Sequence, residues 1–233
     1  MKKQSVNWKV FKNSQELGDA ACGAVLAAAD AAIAKRGRFL IVLAGGNTPR
    51  EVYRHLRHAD ADWSKWHVYF GDERCLLPEH ADRNSRMADE NLLQHVPIPP
   101  DQIHAIPAEL GSEQGAQAYS CTLAGVGEFD LVLLGMGEDA HTASLFPGKA
   151  WESQAMAPAI AVHGAPKPPP ERVSLSASRL SRAHRVIFFV TGAGKRDAVK
   201  LWRSGADLPV AAVAPAAGVE VYMDVAAEPA LTD

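Results

Sequence analysis

A short apolar segment and the glycine-rich turn after it decide the fold: Phe39-Leu40-Ile41-Val42-Leu43-Ala44-Gly45-Gly46-Asn47-Thr48-Pro49. Five consecutive apolar residues are typical of a central strand that is covered on both faces. Proline favours the first turn of a helix, so a helix is predicted to begin near Pro49. That helix carries Val52, Tyr53 and Leu56 at helical spacing. The segment is therefore a strand, a tight turn and a helix in direct succession.

The same alternation recurs along the chain. Further strands are predicted over residues 67–70, 129–134, 172–176, 185–190 and 219–225. Helices are predicted from Asn13 or Ser14 to about Arg36 with Gly37 as the stop, after the turn at 71–74 through Leu93, over 112–126, and from Lys195 to about Arg203. This alternation predicts an α/β fold with a largely parallel sheet flanked by helices. The proline-rich stretch 164–170 is interpreted as a surface loop, so one domain is predicted over residues 1–233.

Composition narrows the classes of function. The chain has 233 residues, 47% of them hydrophobic and 22% charged, which is typical of an ordinary globular protein. A net charge of −3 gives no reason to expect nucleic acid or an anionic membrane as a partner. The N-terminus lacks the apolar stretch of a secretory signal, and no segment is expected to reach the ~20 apolar residues that span a bilayer. Three widely spaced cysteines, Cys22, Cys75 and Cys121, predict reduced thiols and a cytoplasmic protein.

Polar or glycine-rich segments follow four of the predicted strands. They are Gly45-Gly46-Asn47-Thr48, Gly71-Asp72-Glu73-Arg74, the stretch 135–141, and Thr191-Gly192-Ala193-Gly194-Lys195. Ligands of open parallel sheets bind beyond the carboxyl ends of the strands. We therefore expect all four segments to line one site.

Three of these segments carry candidate groups for binding an anion. The paired glycines before a helix start suit a phosphate, with Asn47 and Thr48 as side-chain donors; the alternative is a tight turn with Thr48 as cap. Arg74 is able to bind phosphate with two parallel hydrogen bonds while a neighbouring carboxylate such as Asp72 orients it; the alternative is a solvated charge cluster. Asn84, ten residues on, is either an amide contact to the ligand or a helix cap.

Lys195 is the third candidate cation. It lies at a helix start, where its charge opposes the helix dipole unless an anion is near. The glycines before it resemble a phosphate-binding loop, but the complete nucleotide-binding pattern is absent, so no nucleotide is implied.

The segment Gly135-Met136-Gly137-Glu138-Asp139-Ala140-His141-Thr142-Ala143-Ser144-Leu145-Phe146-Pro147-Gly148 carries the candidate catalytic group. It delivers an acid, a histidine and several hydroxyls to the end of a buried strand, and histidine is the side chain suited to proton transfer near neutral pH. The other eight histidines are interpreted as structural or exposed. His55 and His58 lie three apart on a helix, but no third ligand is evident, so no metal site is predicted.

Together the four segments resemble the 6-phosphogluconolactonase family, whose members carry a Gly-Gly-Ser-Thr-Pro turn, an Asp-Glu-Arg turn, a Gly-x-Gly-x-Asp-Gly-His-Thr-Ala-Ser-Leu-Phe-Pro segment and a late Gly-x-x-Lys. The resemblance spans residues 43 to about 200 in the same order and implies a Rossmann-like fold shared with glucosamine-6-phosphate deaminases. It implies hydrolysis of 6-phosphoglucono-δ-lactone to 6-phosphogluconate in the oxidative pentose phosphate pathway, without a cofactor.

The resemblance also assigns roles by position. His141 becomes the general base and Asp139 its assisting carboxylate, while Arg74 and Lys195 bind phosphate beside the cradle of Gly45, Gly46 and Thr48. Asp72 and Asn84 remain candidates for further substrate contacts. Two residues depart from the family pattern: Asn47 replaces serine, and Ala140 replaces a glycine. If position 140 is left-handed, alanine costs about 1–2 kcal/mol there.

Two other functions stay open at this point. Glucosamine-6-phosphate deaminases share the Asp-Gly-His core but carry a catalytic glutamate after it, and residues 142–147 here contain no acid. A non-catalytic sugar-phosphate sensor typically adds a DNA-binding domain, for which residues 1–37 offer only one long helix. The sequence also leaves open whether the protein is a monomer or a small homo-oligomer.

Overall fold

The structure, a computed structural model, describes residues 4–148 and 156–230. In these ranges the chain forms ten strands: β1 Val6–Phe11, β2 Phe39–Leu43, β3 Trp66–Phe70, β4 Asp72–Arg74, β5 Ile103–His104, β6 Leu131–Gly135, β7 Ala159–Val162, β8 Arg172–Leu175, β9 Val186–Val190 and β10 Val219–Asp224. The same ranges contain the α-helices α1 Ser14–Arg36, α2 Asn47–Leu56, α3 Asn84–Asn91, α4 Ser112–Thr122, α5 Ala177–Ser181, α6 Arg196–Arg203 and α7 Pro209–Ala212.

Seven strands form the main sheet in the order β1-β10-β9-β6-β2-β3-β5, and every neighbouring pair is parallel. The predicted α/β fold with a largely parallel sheet is therefore confirmed. β2 and β9 are buried at every residue and β6 at all but its last, which explains their unbroken apolar sequences. Chain order reverses between β6 and β2, which is the position where parallel sheets open a ligand crevice.

Helix α1 packs against β2, β10 and α2. The Asn13 side chain accepts a hydrogen bond from the Glu16 amide at 2.9 Å and caps the N-terminus, and Gly37 ends the helix with φ of 72°. The side chains that it buries recur every three or four residues: Leu17, Ala21, Val25, Ala29 and Ala32. The predicted bounds of this helix are confirmed.

The expectation that no segment has the length and composition to span a bilayer is wrong for α1. Its 23 residues are long and apolar enough by those two criteria. Alanines supply much of this apolar character, and the buried face of the helix lies on the sheet. Composition averages over both faces of a helix and therefore does not distinguish this packing from membrane contact.

A second, antiparallel sheet of three strands has the order β4-β8-β7. The residues predicted as a turn at 72–74 form β4, and the strand predicted at 172–176 is β8, which pairs with β4 instead of joining the main sheet. The sequence reasoning also missed β7 and the two strands β1 and β5, which lie at the opposite edges of the main sheet. The second sheet brings Arg74 directly opposite Arg172.

Two glycines, Gly23 within α1 and Gly37 directly after it, should respond to replacement by alanine with opposite changes in stability. Gly37→Ala places a side chain in a left-handed conformation and should lower the free energy of unfolding by about 1–2 kcal/mol. Gly23 is exposed within the helix with open space around it, so Gly23→Ala should raise that free energy by about 0.5–1 kcal/mol. Urea unfolding of both variants tests this, and changes of the same sign would contradict the assigned end of α1.

Candidate functional site

A cavity of about 310 Å³ lies at the carboxyl ends of β2, β3, β6 and β9. Its size is within the usual range for small-molecule sites. Its lining includes nine residues that the sequence singled out: Gly45, Gly46, Asn47, Thr48, Asp72, Arg74, Asn84, His141 and Lys195. The tenth, Asp139, hydrogen-bonds His141. The four segments thus come together as expected from parallel pairing of their strands.

The glycine turn brings the start of α2 to the cavity. No side chain caps this helix within the described residues, so its first amide groups are left for other acceptors. Thr48 is not the cap that the alternative interpretation required, because its hydroxyl lies 2.7 Å from that of Thr191 and joins two of the loops. Gly45 must lack a side chain, since a Cβ atom there would overlap the amide of Asn84.

Arg74 is oriented by a backbone carbonyl and not by a neighbouring carboxylate, which corrects the sequence interpretation. Its guanidinium donates to the carbonyl oxygen of Asp82, and its Nε is buried without a hydrogen-bond partner in the described parts of the chain. The Asp72 carboxylate instead accepts from the Ser144 hydroxyl at 2.5 Å and the Asn84 amide at 3.1 Å. Asp72 therefore places a carboxylate in the cavity wall, and each of its two oxygens accepts a hydrogen bond from a neighbouring side chain.

Glu73 supports the loop between Asp72 and Arg74, a role that the sequence reasoning did not assign to it. Its side chain is fully buried, and its two oxygens accept from the backbone amides of Asn84 and Ser85, each at 2.8 Å. This carboxylate therefore caps α3, and the interpretation of Asn84 as the capping side chain is wrong. The Nε atom of Arg83 lies 3.4 Å from Oε2 of Glu73, so an arginine forms an ion pair with the buried carboxylate. Burial also excludes the solvated-cluster interpretation of residues 72–74.

His141 and Asp139 form a hydrogen-bonded pair at the edge of the cavity. His141 Nδ1 lies 2.5 Å from Asp139 Oδ1, and the backbone turn closes with the Gly137 amide donating to the His141 carbonyl at 2.8 Å. A Cβ atom at Gly137 would overlap both side chains, so only glycine fits. A carboxylate accepts but does not donate, so the proton of the neutral ring lies on Nδ1. Nε2 is then the ring nitrogen with an available lone pair.

Opposing influences set the ionisation of this pair. Burial lowers the pKa of His141, while the hydrogen bond and charge of Asp139 raise it; burial prevails, and the pKa lies below its usual value. Burial by itself raises the pKa of Asp139, but the hydrogen bonds and charge of His141 outweigh it, and that pKa lies below its usual value. Burial also lowers the pKa of Lys195, which the charge of Glu138 opposes. At neutral pH the ring is uncharged and able to accept a proton.

Two further cations line the cavity but were not predicted, Lys167 and Arg172, whereas Thr191 lies in a segment that was expected there. Lys167 lies in the loop 164–170, which the sequence indicated only as a surface loop, and Arg172 begins β8. A lysine between two prolines was the local feature that could have drawn attention to this loop. The sequence did not predict that the loop lies beside His141. The missed cations raise the positive charge of the cavity.

The structure shows no cluster of three or more metal-ligating histidine, cysteine, aspartate or glutamate side chains in residues 4–148 and 156–230. His55 hydrogen-bonds Asp19 at 2.9 Å, on the side of α2 that faces α1.

Fold and site together define an α/β protein with a cavity that is lined by arginine and lysine side chains and lies next to a histidine–aspartate pair. The family model described as glucosamine-6-phosphate isomerases/6-phosphogluconolactonase matches residues 12–222, and the chain belongs to this family. The resemblance to this family that the sequence indicated is thereby confirmed, and so is the fold that the resemblance implied.

Relatives of known name cover nearly the whole chain. A 6-phosphogluconolactonase of Mycobacterium leprae is 35% identical in a match that covers 94% of each chain. One of Mycobacterium tuberculosis is 38% identical in a match that covers 90% of each chain. The structure of a 6-phosphogluconolactonase from Trypanosoma brucei superposes with a TM-score of 0.84 at 28% identity, covering 95% of this chain and 97% of that one.

Position 140 offers a test of the turn that carries His141. Ala140 has φ of 63°, a left-handed conformation that glycine adopts without strain, and it is buried. Ala140→Gly should change stability by less than about 1 kcal/mol, because about 1–2 kcal/mol of relieved strain offsets a lost buried methyl group and a more flexible unfolded chain. Ala140→Val should cost about 2–4 kcal/mol through strain and overpacking. Thermal unfolding measures both, and a valine variant as stable as the wild type would exclude this backbone conformation.

Proposed function

We propose that the chain hydrolyses 6-phospho-D-glucono-1,5-lactone to 6-phospho-D-gluconate, a step of the oxidative pentose phosphate pathway, in the cytoplasm. The observation that carries the proposal is the His141–Asp139 pair in one cavity with the cations Arg74 and Lys195. The names of the mycobacterial relatives support the reaction. The cytoplasmic location rests on the odd number and wide spacing of the cysteines.

The chemistry begins with general-base catalysis by His141. Neutral imidazole takes a proton through Nε2 from a water molecule directed at the lactone carbonyl carbon. Asp139 holds the proton on Nδ1, keeps the ring oriented and stabilises the imidazolium as it forms. The lowered pKa of His141 keeps the base in its active form at neutral pH.

The tetrahedral intermediate then collapses with opening of the ring. Negative charge on the former carbonyl oxygen is stabilised by donors and cations of the cavity, and the imidazolium returns its proton to the ring oxygen as the carbon–oxygen bond breaks. The phosphate lies away from the reacting carbon, so Arg74, Lys195 and the start of α2 act by positioning the substrate.

The residues after His141 favour this reaction over deamination of glucosamine 6-phosphate. The Thr142 hydroxyl donates to the Gly135 carbonyl at 2.9 Å, and the Ser144 hydroxyl donates to Asp72. Both side chains are therefore engaged in structural bonds, and no carboxylic acid occurs between His141 and Pro147.

Substitutions at His141 and Arg74 should separate chemistry from binding. His141→Ala should lower kcat by about 10²–10⁴-fold with little change in KM, because it removes the base. Arg74→Ala should raise KM by about tenfold or more, because it removes a charge-assisted bond to phosphate. The assay follows acid release from freshly made lactone after subtraction of the spontaneous rate. His184→Ala, an exposed histidine outside the cavity, is the control. An unchanged kcat for His141→Ala would overturn the assignment.

The pH dependence should report the ionisation of His141. Activity requires the neutral ring, so kcat/KM should fall as the pH drops through the His141 pKa, at a value below 6.5. Asp139→Asn removes the charge of Asp139, which raises this pKa, so the acid limb should move to lower pH. The value of kcat should decrease because the ring loses its orientation. pH–rate profiles of both proteins decide the matter. An acid limb that moves to higher pH in the asparagine variant would contradict this coupling.

A further inference from the structure

Asp72 is a buried carboxylate in the wall of the cavity, and the proposed mechanism does not use it. Only 7% of the residue is exposed, and it lies at the start of β4, directly after the end of β3. In the parts of the chain that the structure describes, its side chain is bound by neutral donors and forms no ion pair. A buried charge without a paired cation is costly, and such costs are typical of functional sites.

Two hydrogen bonds fix the Asp72 side chain. Its Oδ1 accepts from the side-chain amide of Asn84 at 3.1 Å, and its Oδ2 accepts from the Ser144 hydroxyl at 2.5 Å. Both oxygens therefore act as acceptors, as they do in an ionised carboxylate. Ser144 is itself held in place, because its backbone amide donates to the Ser174 hydroxyl at 3.2 Å. The negative charge thus has a defined position in the cavity wall.

Asp72 lies close enough to His141 for their charges to interact. Ser144, which donates to Asp72, follows His141 by three residues in the same loop, and both Asp72 and His141 line the cavity. Burial lowers the pKa of His141, whereas the charges of Asp139 and Asp72 raise it. The carbon atom on which His141 is proposed to act is therefore also within the electrostatic field of Asp72.

The proposed reaction creates a new negative charge at that carbon atom. Water adds to the uncharged lactone carbonyl, the bond from this carbon to the ring oxygen breaks, and the ring oxygen leaves as an alcohol with the proton from His141. The carboxylic acid that results releases its proton at neutral pH. The product therefore carries one negative charge more than the substrate. A cavity lined by four cations favours the more negative ligand, so the product would inhibit the enzyme unless another group opposed its binding.

We propose that Asp72 is a specificity-determining residue that weakens binding of the carboxylate product relative to the uncharged lactone. Repulsion between the fixed carboxylate of Asp72 and the new carboxylate of the product favours product release. The identity of the two ligands rests on the proposed function, whereas discrimination between a charged and an uncharged end of the ligand is measurable by binding alone.

Asp72→Asn removes the charge and preserves the shape of the side chain. Its oxygen is able to accept from Asn84 while its amide group donates to the Ser144 hydroxyl, so both contacts persist. Asp130→Asn is the matched control. Asp130 is 5% exposed, accepts from the Leu40 amide at 2.8 Å and directly precedes β6, at the opposite end of that strand from the cavity. The two variants change the net charge equally.

The experiment is titration calorimetry of the full chain with 6-phosphogluconate and with glucitol 6-phosphate, which has an alcohol in place of the carboxylate. At about pH 8 the phosphate of both ligands is doubly charged. The wild type should bind 6-phosphogluconate no more tightly than glucitol 6-phosphate, despite the additional charge. Asp72→Asn should bind 6-phosphogluconate about 5- to 20-fold more tightly than the wild type does, and glucitol 6-phosphate within about threefold. Asp130→Asn should bind both ligands within about twofold of the wild type.

Three results would each overturn the proposal: tighter binding of 6-phosphogluconate than of glucitol 6-phosphate by the wild type, an equal gain for both ligands in Asp72→Asn, or an equal gain in Asp130→Asn. A wild-type chain that binds neither ligand would overturn both the inference and the proposed function. Discrimination through Asp72 in a chain without lactonase activity would uphold this inference and overturn the proposed function. Lactonase activity with unaltered affinity for 6-phosphogluconate in Asp72→Asn would do the reverse.

Discussion

Parallel pairing of the four strands β9, β6, β2 and β3 is the constraint on which the rest of the structure depends. Because all four run in the same direction side by side, their following loops meet at one edge of the sheet. Neighbouring strands lie only about 4.8 Å apart, which crowds those loops. The close approach of Asn84 to Gly45 and of His141 to Gly137 follows directly from this crowding. The requirement for glycine is thus a result of sheet geometry.

The hydrogen bonds of two buried carboxylates, Asp72 and Glu73, affect the net charge of the cavity. Asp72 and Glu73 are satisfied by hydroxyl, amide and backbone N–H donors, so neither forms a close ion pair with the cavity arginines. The cations that line the cavity, Arg74, Lys167, Arg172 and Lys195, consequently outweigh the negative charge of its walls. A protein with a net charge of −3 thereby presents a positive cavity. Local hydrogen bonding and not overall charge decides what binds.

The sequence predicted those parts of the fold whose signal is local. The apolar runs of β2, β6 and β9 and the capped helix α1 follow from composition and spacing over a few residues. The second sheet escaped prediction because β4 has three residues and pairs with a strand about a hundred positions away. Edge strand β1 is only partly buried, so its alternating sequence carried a weaker signal.

The candidate site divides in the same way. His141, Arg74 and Lys195 were found because each follows a recognisable strand or turn. Arg172 and Glu73 were not, because the chemistry of each depends on its partner: an arginine is ordinary until a second one lies opposite, and a glutamate is ordinary until it caps a distant helix. These roles depend on strand register and tertiary packing, and the residues next to Arg172 and Glu73 in the sequence predict neither.

The environment of His141 reconciles two demands that conflict in water. A strong base needs a high pKa, whereas a base that is free of protons at neutral pH needs a low one. Burial alone lowers the pKa and weakens the base, and a carboxylate alone raises it and favours the protonated ring. With both present, burial prevails in the resting state, and in the proposed mechanism Asp139 stabilises the imidazolium once a proton arrives. The turn at Ala140 matters for this reason, since it sets the distance between the two side chains.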